Sequence, residues 1–186
     1  MPLAEKHPQR RPIAAVVGSA RDGSAGEGEA ALLGRALVDA GFRVVSGGLG
    51  GIMRAASRGA RSSERYQPGD VIGVLPSYRS GDANEFIDIP ICTGIQHGRN
   101  LIVVASGDVV FAIGGRSGTL SEIAHAWTLG KPVVCVGKME GWATELAGRC
   151  IDDRRDDQVH GPFEPEEAVN VAKDLLRTHR YGPKEF

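Results

Sequence analysis

Three glycine-rich turns of the sequence have the composition of an anion-binding site. Glycine supplies 26 of the 186 residues, which is about 14% where ~7% is usual. Glycine lets a backbone approach an anion closely, and a helix that follows the turn adds unpaired N–H groups and the positive end of its dipole. The ligand that suits such turns best is a phosphate. The residues that we predict to bind it are Gly18, Ser19, Gly47, Gly48, Gly51, Gly114, Gly115, Arg116, Ser117, Gly118 and Thr119.

The third turn leads into a carboxylate. Residues 114–122 read GGRSGTLSE, so Glu122 falls in the first turn of a predicted helix that Ser117 or Thr119 could cap. One interpretation makes Glu122 an acid that complements the helix dipole. The other is chemical, because a carboxylate off the apolar stripe and beside the phosphate site would stabilise a cationic or oxocarbenium-like centre. The predicted stripe consists of Leu120, Ile123, Ala124 and Trp127.

Two common nucleotide motifs and a metal site are not indicated. Residues 48–53, GLGGIM, lack the third glycine of the dinucleotide fingerprint, and the sequence has no Gly-Lys-Ser/Thr run. His97 and His125 have no second ligand at metal spacing. The sequence therefore argues against Rossmann-type NAD binding and P-loop hydrolysis, and predicts neither a metal nor another cofactor.

Short apolar runs alternate with helical patterns between the turns. Phe86–Ile91 alternates apolar and polar residues, which predicts a half-exposed strand nearer an edge, and a last helix is predicted from near Pro165. This order predicts an α/β protein, a three-layer Rossmann-like fold with a mostly parallel sheet of about five to seven strands flanked by helices. The three turns should then meet at the carboxyl edge of the sheet. The runs predicted as strands buried on both faces are Ile13–Val17, Arg43–Val45, Val71–Leu75, Val109–Ile113 and Pro132–Val136.

Length, charge and cysteine content limit the organisation and the partners. Residues 1–12 are predicted as a disordered tail before a single domain over residues 13–180, and residues 152–161 as a solvated charged loop. The net charge of -1 argues against a nucleic-acid partner, and no apolar run approaches the ~20 residues of a membrane span. Three widely spaced cysteines, at positions 92, 135 and 150, predict a reduced cytoplasmic protein without a disulfide framework.

The turns resemble the motifs of a known family. GGRSGTLSE resembles the PGGxGTxxE signature of the LOG (Lonely Guy) family, long mislabelled as lysine decarboxylases, and SGGLGGIM resembles its second glycine loop. Segment His97–Asn100 falls where the family has an Arg-Lys pair, and the 23 residues from Arg99 to Glu122 match the spacing of that pattern. The resemblance covers Ile13 to about Val136. It implies a homodimer and the hydrolysis of nucleoside 5′-monophosphates to free base and ribose 5-phosphate.

The resemblance also assigns roles to residues. Arg99 and Glu122 become the catalytic pair, and residues 115–119 become the phosphate cradle. The helix that carries His125, Ala126 and Trp127 is expected to face a partner subunit.

The chain departs from the family pattern at three positions. Asn100 replaces the lysine, Gly114 stands where proline is usual, and Arg116 replaces the second glycine of the signature. The sequence is closer to a divergent branch, similar to uncharacterised bacterial proteins and to molybdenum-cofactor carrier proteins, which bind a phosphorylated pterin without hydrolysing it.

Two functions therefore remain open. The first is a phosphoribohydrolase for nucleoside monophosphates, and the second is a non-hydrolytic carrier of a phosphorylated heterocycle. A single-stranded DNA protein, which the superfamily also includes, would need a basic groove with stacking aromatics. An aromatic content of 5% and a charge near zero argue against it.

Overall fold

Seven strands form one sheet within residues 10–178, the part of the chain that this computed structural model describes. Every pair of neighbouring strands is parallel. The predicted α/β class, a three-layer Rossmann-like fold with a mostly parallel sheet, is confirmed. The strands are β1 (Ile13–Gly18), β2 (Arg43–Ser46), β3 (Val71–Leu75), β4 (Ile89–Cys92), β5 (Val109–Ile113), β6 (Val133–Val136) and β7 (His160–Phe163).

Helices cover both faces of the sheet. The central strands are continuous apolar runs because both of their faces are buried: Phe111 and Ile113 of β5 pack into one apolar cluster, and Val110 and Ala112 pack into the other. The helices of the first cluster are α1 (Glu27–Asp39), α2 (Gly51–Arg61) and α6 (Pro165–Thr178). Those of the second cluster are α3 (Arg99–Ser106), α4 (Ser117–Thr128) and α5 (Trp142–Leu146).

The strand order creates a crevice beside β1. The order is β4-β3-β2-β1-β5-β6-β7, so the chain builds the sheet outward from β1 to β4 and then returns to place β5 on the other side of β1. The connection after β1 leads to α1 on one face, whereas the connection after β5 leads to α4 on the other face. Such a switch point opens a crevice at the carboxyl ends of the two strands.

The two edge strands differ from the prediction. β4 begins at Ile89 rather than Phe86, and its four residues are all exposed, although its predicted place at an edge is confirmed. β7 falls partly in the stretch that was predicted to be a charged loop. Its sequence, HGPF, has the low strand propensity of glycine and proline, and it pairs with β6 alone at the other edge.

The charged stretch also packs against the domain. The guanidinium of Arg155 lies 4.4 Å from the centre of the Trp127 ring, and Trp127 Nε1 donates a hydrogen bond of 2.7 Å to Asp152. Trp127 is consequently only 2% exposed. Residues of its own chain therefore cover Trp127 itself, and the expectation that its helix faces a partner subunit stays a prediction.

Part of the predicted tail is anchored. Residues 1–9 lie outside the described residues, but Arg11 donates to the carbonyls of Gly41 and Phe42 and pairs with the buried carboxylate of Asp70 at 2.5 Å. Asp108 accepts a hydrogen bond of 2.8 Å from the backbone N–H of Ile13. The amino edge of the sheet is therefore held by ion pairs and hydrogen bonds. No helix within residues 10–178 has both the length and the apolar character to cross a membrane.

Helices α1 and α2 pack so closely that their backbones are in contact. This contact fixes the position of α2, and with it the second glycine turn from which α2 starts. A Cβ at Gly59 of α2 would overlap the carbonyl oxygen of Ala31, and a Cβ at Gly34 of α1 would overlap that of Ala56. Glycine is needed at both positions because the neighbouring atoms are backbone, which cannot rotate away.

We expect Gly59→Ala to lower the free energy of unfolding by about 2 kcal/mol or more, because the added methyl group forces the two helices apart. Gly28→Ala is the matched control, since that glycine lies in α1, the other helix of the pair, and has no heavy atom within 4 Å of the position that a Cβ would take. It should leave the stability unchanged or raise it by up to ~1 kcal/mol. Denaturant unfolding measures both variants, and equal stabilities would contradict the backbone contact.

Candidate functional site

The three glycine turns lie side by side at the carboxyl edge of the sheet. They follow β2, β1 and β5, which are neighbours in the sheet. The sequence predicted this convergence. The turns differ, however, in what their backbone groups already bind.

The second turn is occupied by groups of the chain itself. At the start of α2, the N–H of Gly51 donates to Asp22 Oδ1 at 2.8 Å and the N–H of Ile52 donates to the carbonyl of Ser19 at 2.9 Å. The carbonyl of Gly48 accepts hydrogen bonds from Asn84. Asp22 therefore provides the negative charge that the N-terminus of α2 favours.

The first turn has a structural role beside the second. A Cβ at Gly18 would meet the side chain of Ile52, so this glycine lets α2 approach β1. The hydroxyl of Ser19 accepts hydrogen bonds from Arg21 N–H and from the Ser24 hydroxyl. Both residues lie at the crevice, but their contacts are internal to the chain.

The third turn is open by comparison. Gly114 and Gly115 adopt φ values of 50° and 86°, and α4 begins at Ser117 after Arg116, with no side-chain cap from any described residue. The predicted capping by Ser117 or Thr119 is wrong, because Thr119 is buried against Gly115. Arg116 and Ser117 are exposed. The first N–H groups of α4, which a helix cannot pair internally, therefore have no capping side chain among the described residues.

Arg99 and Glu122 meet next to this turn. Arg99 is the first residue of α3, and its Nη1 lies 3.4 Å from Glu122 Oε1 on α4. Their side chains are 10% and 7% exposed. The guanidinium lies flat on Gly47, where any Cβ would overlap it. Glycine at position 47 therefore leaves space for the Arg99 guanidinium, which lies where an anion would otherwise contact this backbone.

Glu122 lies on the buried face of α4, which corrects the predicted stripe. Ala124 is exposed and Leu120 is half-buried. Helical periodicity alone allows either face, and the contact of α4 with α3 selects the one that carries the carboxylate. The residues that are buried on α4 are Thr119, Glu122, Ile123, Ala126 and Trp127.

Burial dominates the electrostatics of the pair. It raises the pKa of Glu122 from 4.5 to about 7, and the neighbouring Arg99 offsets only part of that rise. Burial likewise lowers the pKa of Arg99, against the opposing effect of Glu122. The Nε of Arg99 is buried without a hydrogen-bond partner. The carboxyl can therefore take up or release a proton near neutral pH, beside a cation with unused hydrogen-bonding capacity.

Polar side chains that join α3 to α4 complete the surroundings. Asn100 Nδ2 donates to Ser121 Oγ at 3.2 Å, and that hydroxyl donates to the carbonyl of Gly118 at 2.7 Å. Asn100 thus ties the start of α3 to the third turn, where a lysine would bring a charge. Ser121 lies in the GGRSGTLSE motif but was not among the predicted site residues, and neither were Asp22 and Asn84, which no motif marks.

Metal-ligating side chains are dispersed through residues 10–178, where no group of three or more His, Cys, Asp or Glu residues could hold an ion. Cys92, Cys135 and Cys150 are all free thiols. Burial raises the pKa of Cys135 to about 11, so this thiol stays protonated and unreactive.

The raised pKa of Glu122 predicts how stability depends on pH. The folded protein holds this proton more tightly than the unfolded chain, so the stabilisation is complete below about pH 4.5 and is lost as the pH rises through about 7. We expect Glu122→Gln, which cannot titrate, to remove that fall in the free energy of unfolding. Glu167→Gln, an exposed acid in the first turn of α6, is the control. Denaturant unfolding across this pH range would contradict us if all three proteins gave parallel profiles.

Known proteins are similar to this chain in sequence and in structure. An uncharacterised protein of Archaeoglobus fulgidus is 42% identical over 102 residues, which span 54% of this chain and 64% of that protein. The molybdenum cofactor binding protein of Rippkaea orientalis superposes with a TM-score of 0.77 at 32% identity, over 90% of this chain and 99% of its own. The molybdenum cofactor carrier protein of Chlamydomonas reinhardtii gives 0.73 at 30% identity, over 90% and 100%.

These similarities agree with the motifs. They confirm the resemblance to a divergent, LOG-like branch that is similar to molybdenum-cofactor carriers. Residues 11–169 match one family along most of the described chain. The chain belongs to the SLOG cluster4 family.

Proposed function

We propose that the protein binds a small phosphorylated ligand in the crevice beside β1, with the phosphate on the third turn. Two observations support this site. The N-terminus of α2 is filled by Asp22, whereas that of α4 has no side-chain cap among the described residues. Arg116 at the start of α4 is exposed and adds a cation that suits a phosphate. Similarity to proteins named for molybdenum-cofactor binding supports the same class of ligand.

We further propose that the ligand is a nucleoside 5′-monophosphate whose N-glycosidic bond is hydrolysed. The observation that carries this proposal is the buried carboxyl of Glu122, with a pKa of about 7, beside Arg99. Cleavage of the bond between the base nitrogen and the anomeric carbon builds positive charge on the sugar, which an ionised carboxylate stabilises. Glu122 takes a proton from the attacking water, whose oxygen bonds to the anomeric carbon. The departing base keeps the electron pair of the broken bond and receives the proton that the water gave up, which returns Glu122 to its ionised form.

Arg99 supports this chemistry through its fixed positive charge. It holds the carboxylate of Glu122 in place, and the guanidinium N–H groups that Glu122 does not occupy offer a hydrogen bond to the phosphate or to the departing base. The products are the free base and ribose 5-phosphate. The exposed thiols of Cys92 and Cys150 suit a reducing compartment, and we propose the cytoplasm as the site of this reaction.

We expect Glu122→Gln to lower the turnover of a cleaved nucleoside monophosphate by about 10²-fold or more, with little change in affinity. The amide keeps the shape of the side chain but removes the charge that the transition state needs. Chromatography of the released base measures turnover, and thermal stabilisation measures binding. Glu167→Gln should leave both unchanged, and a Glu122→Gln protein with wild-type turnover would refute the catalytic assignment.

The carrier function is the second candidate, and Asn100 favours it. The hydrogen bond to Ser121 places a neutral amide where the hydrolytic family has a lysine. A protein that binds a phosphorylated heterocycle without cleaving it would still be stabilised by that ligand, because the ligand binds only the folded state. Stabilisation by nucleotides or by a phosphorylated pterin without release of base would select this candidate over the hydrolase.

We also propose that the protein is a homodimer that associates through α3 and α4. Leu101 and Ile102 of α3 are 43% and 36% exposed, and Ala105 beside them is exposed too. The charged residue of α3 is Arg99, which is buried, so this helix presents neutral side chains to solvent. Ala124 continues the neutral surface on α4. Such a surface can meet its own copy across a two-fold axis without repulsion between like charges.

We expect light scattering to give about twice the chain mass of 19.7 kDa for the wild type. Leu101→Glu should yield the single-chain mass, because it places two carboxylates at the axis. Leu32→Glu, at a residue of α1 that is 62% exposed, is the control and should remain dimeric. A wild-type protein of single-chain mass at micromolar concentration would reject the dimer.

A further inference from the structure

One of the two tryptophans is attached to the third turn and exposed. The backbone N–H of Trp142 donates to the carbonyl of Gly115 at 3.1 Å, and that of Ala143 donates to the carbonyl of Gly114 at 2.9 Å. The Trp142 side chain is 42% exposed, whereas Trp127 is 2% exposed. A large aromatic residue is thus held in solvent immediately beside the proposed phosphate cradle.

The position of Trp142 is fixed by its neighbours. Gly141 lies directly on the backbone of Gly114 and Gly115, where any Cβ would overlap them. The hydroxyl of Thr144 donates to the carbonyl of Met139 at 2.6 Å, which closes the loop before α5. Ala143 is fully buried in the second apolar cluster. Contacts on both sides of the tryptophan therefore anchor its backbone, so that only the two side-chain torsions of the indole remain to be ordered when a ligand binds.

We propose that the indole of Trp142 is the platform on which the heterocyclic ring of the phosphorylated ligand stacks. This inference rests on the proposed phosphate site. Every purine, pyrimidine or pterin has a flat π-face, so a tryptophan contributes affinity for the ring without reading its hydrogen-bonding edge. The substrate class is then a planar heterocycle joined to a phosphate, and a sugar phosphate that lacks the ring loses this contact.

The assignment accounts for two features together. An exposed indole has apolar surface that a ligand can cover. The hydrogen bond from the backbone N–H of Trp142 to the carbonyl of Gly115 couples this residue to the turn that begins α4. The phosphate and the ring would accordingly be held by adjoining parts of one rigid unit, in the hydrolase and in the carrier alike.

The test compares ligands with and without a ring in matched variants. The probes are AMP, GMP, a phosphorylated pterin and ribose 5-phosphate, and the readouts are Kd by calorimetry and quenching of indole fluorescence. Trp142→Leu removes the ring and keeps apolar bulk, and Trp142→Phe restores an aromatic face. Leu32→Ala, which shortens an exposed side chain on α1, is the control.

We expect Trp142→Leu to weaken, by about fivefold or more, the binding of each ring-containing probe (AMP, GMP or the phosphorylated pterin) that the wild type binds. Trp142→Phe should recover much of that affinity, and ribose 5-phosphate should bind all proteins equally. The ring-containing probe should quench wild-type fluorescence, and the quench should vanish in Trp142→Leu while Trp127 remains. Equal affinity of that probe for the wild type and Trp142→Leu overturns the stacking role and leaves the phosphate site standing. Failure of every probe to bind the wild type overturns the phosphate site and the stacking role with it.

Discussion

The burial of Arg99 beside Glu122 constrains the whole carboxyl edge of the sheet. Taking two charged groups out of water is expensive, and a single contact of 3.4 Å with an unpartnered Nε compensates for it poorly. Apolar side chains of similar volume in place of a buried ion pair are often neutral or stabilising for a fold. The pair is therefore better suited to interact with an additional anion or dipole than to stabilise the contact between the two helices. Its neighbours accommodate it: Gly47 gives the guanidinium room, and α3 starts at the arginine itself.

Two helix N-termini at the same edge have different roles. Both follow glycine-rich turns, and composition does not distinguish them. Asp22, however, comes from the loop after β1 and accepts a hydrogen bond from the first N–H of α2, which places an internal carboxylate where an external anion would otherwise bind. At α4 no side chain within residues 10–178 supplies such a group. The ligand-binding capacity of a glycine turn is decided by its neighbours in the fold.

The elements that the sequence predicted well are those whose patterns are local. β1, β2, β3, β5 and β6 are apolar runs buried on both faces, and their positions agree with the prediction to within one residue at either end. β7 could not be predicted in this way, since HGPF becomes a strand only through pairing with β6. The burial of Glu122 could not be predicted from the sequence pattern either, because it depends on which face of α4 contacts α3. The pairing of Arg99 with Glu122 was predicted from the spacing of a family pattern. The structure shows its physical basis, which is the contact between α3 and α4.

Both edges of the sheet contain a proline. Pro90 lies in β4 and Pro162 lies in β7, and each of these four-residue strands consequently lacks one backbone N–H. An open strand edge is a template on which further chains can add strands and grow into fibrils. Because each edge strand lacks one backbone N–H donor, the sheet is a poor template for such growth. Association through the helical layers, as in the proposed dimer, would instead end at a closed assembly with a fixed number of chains.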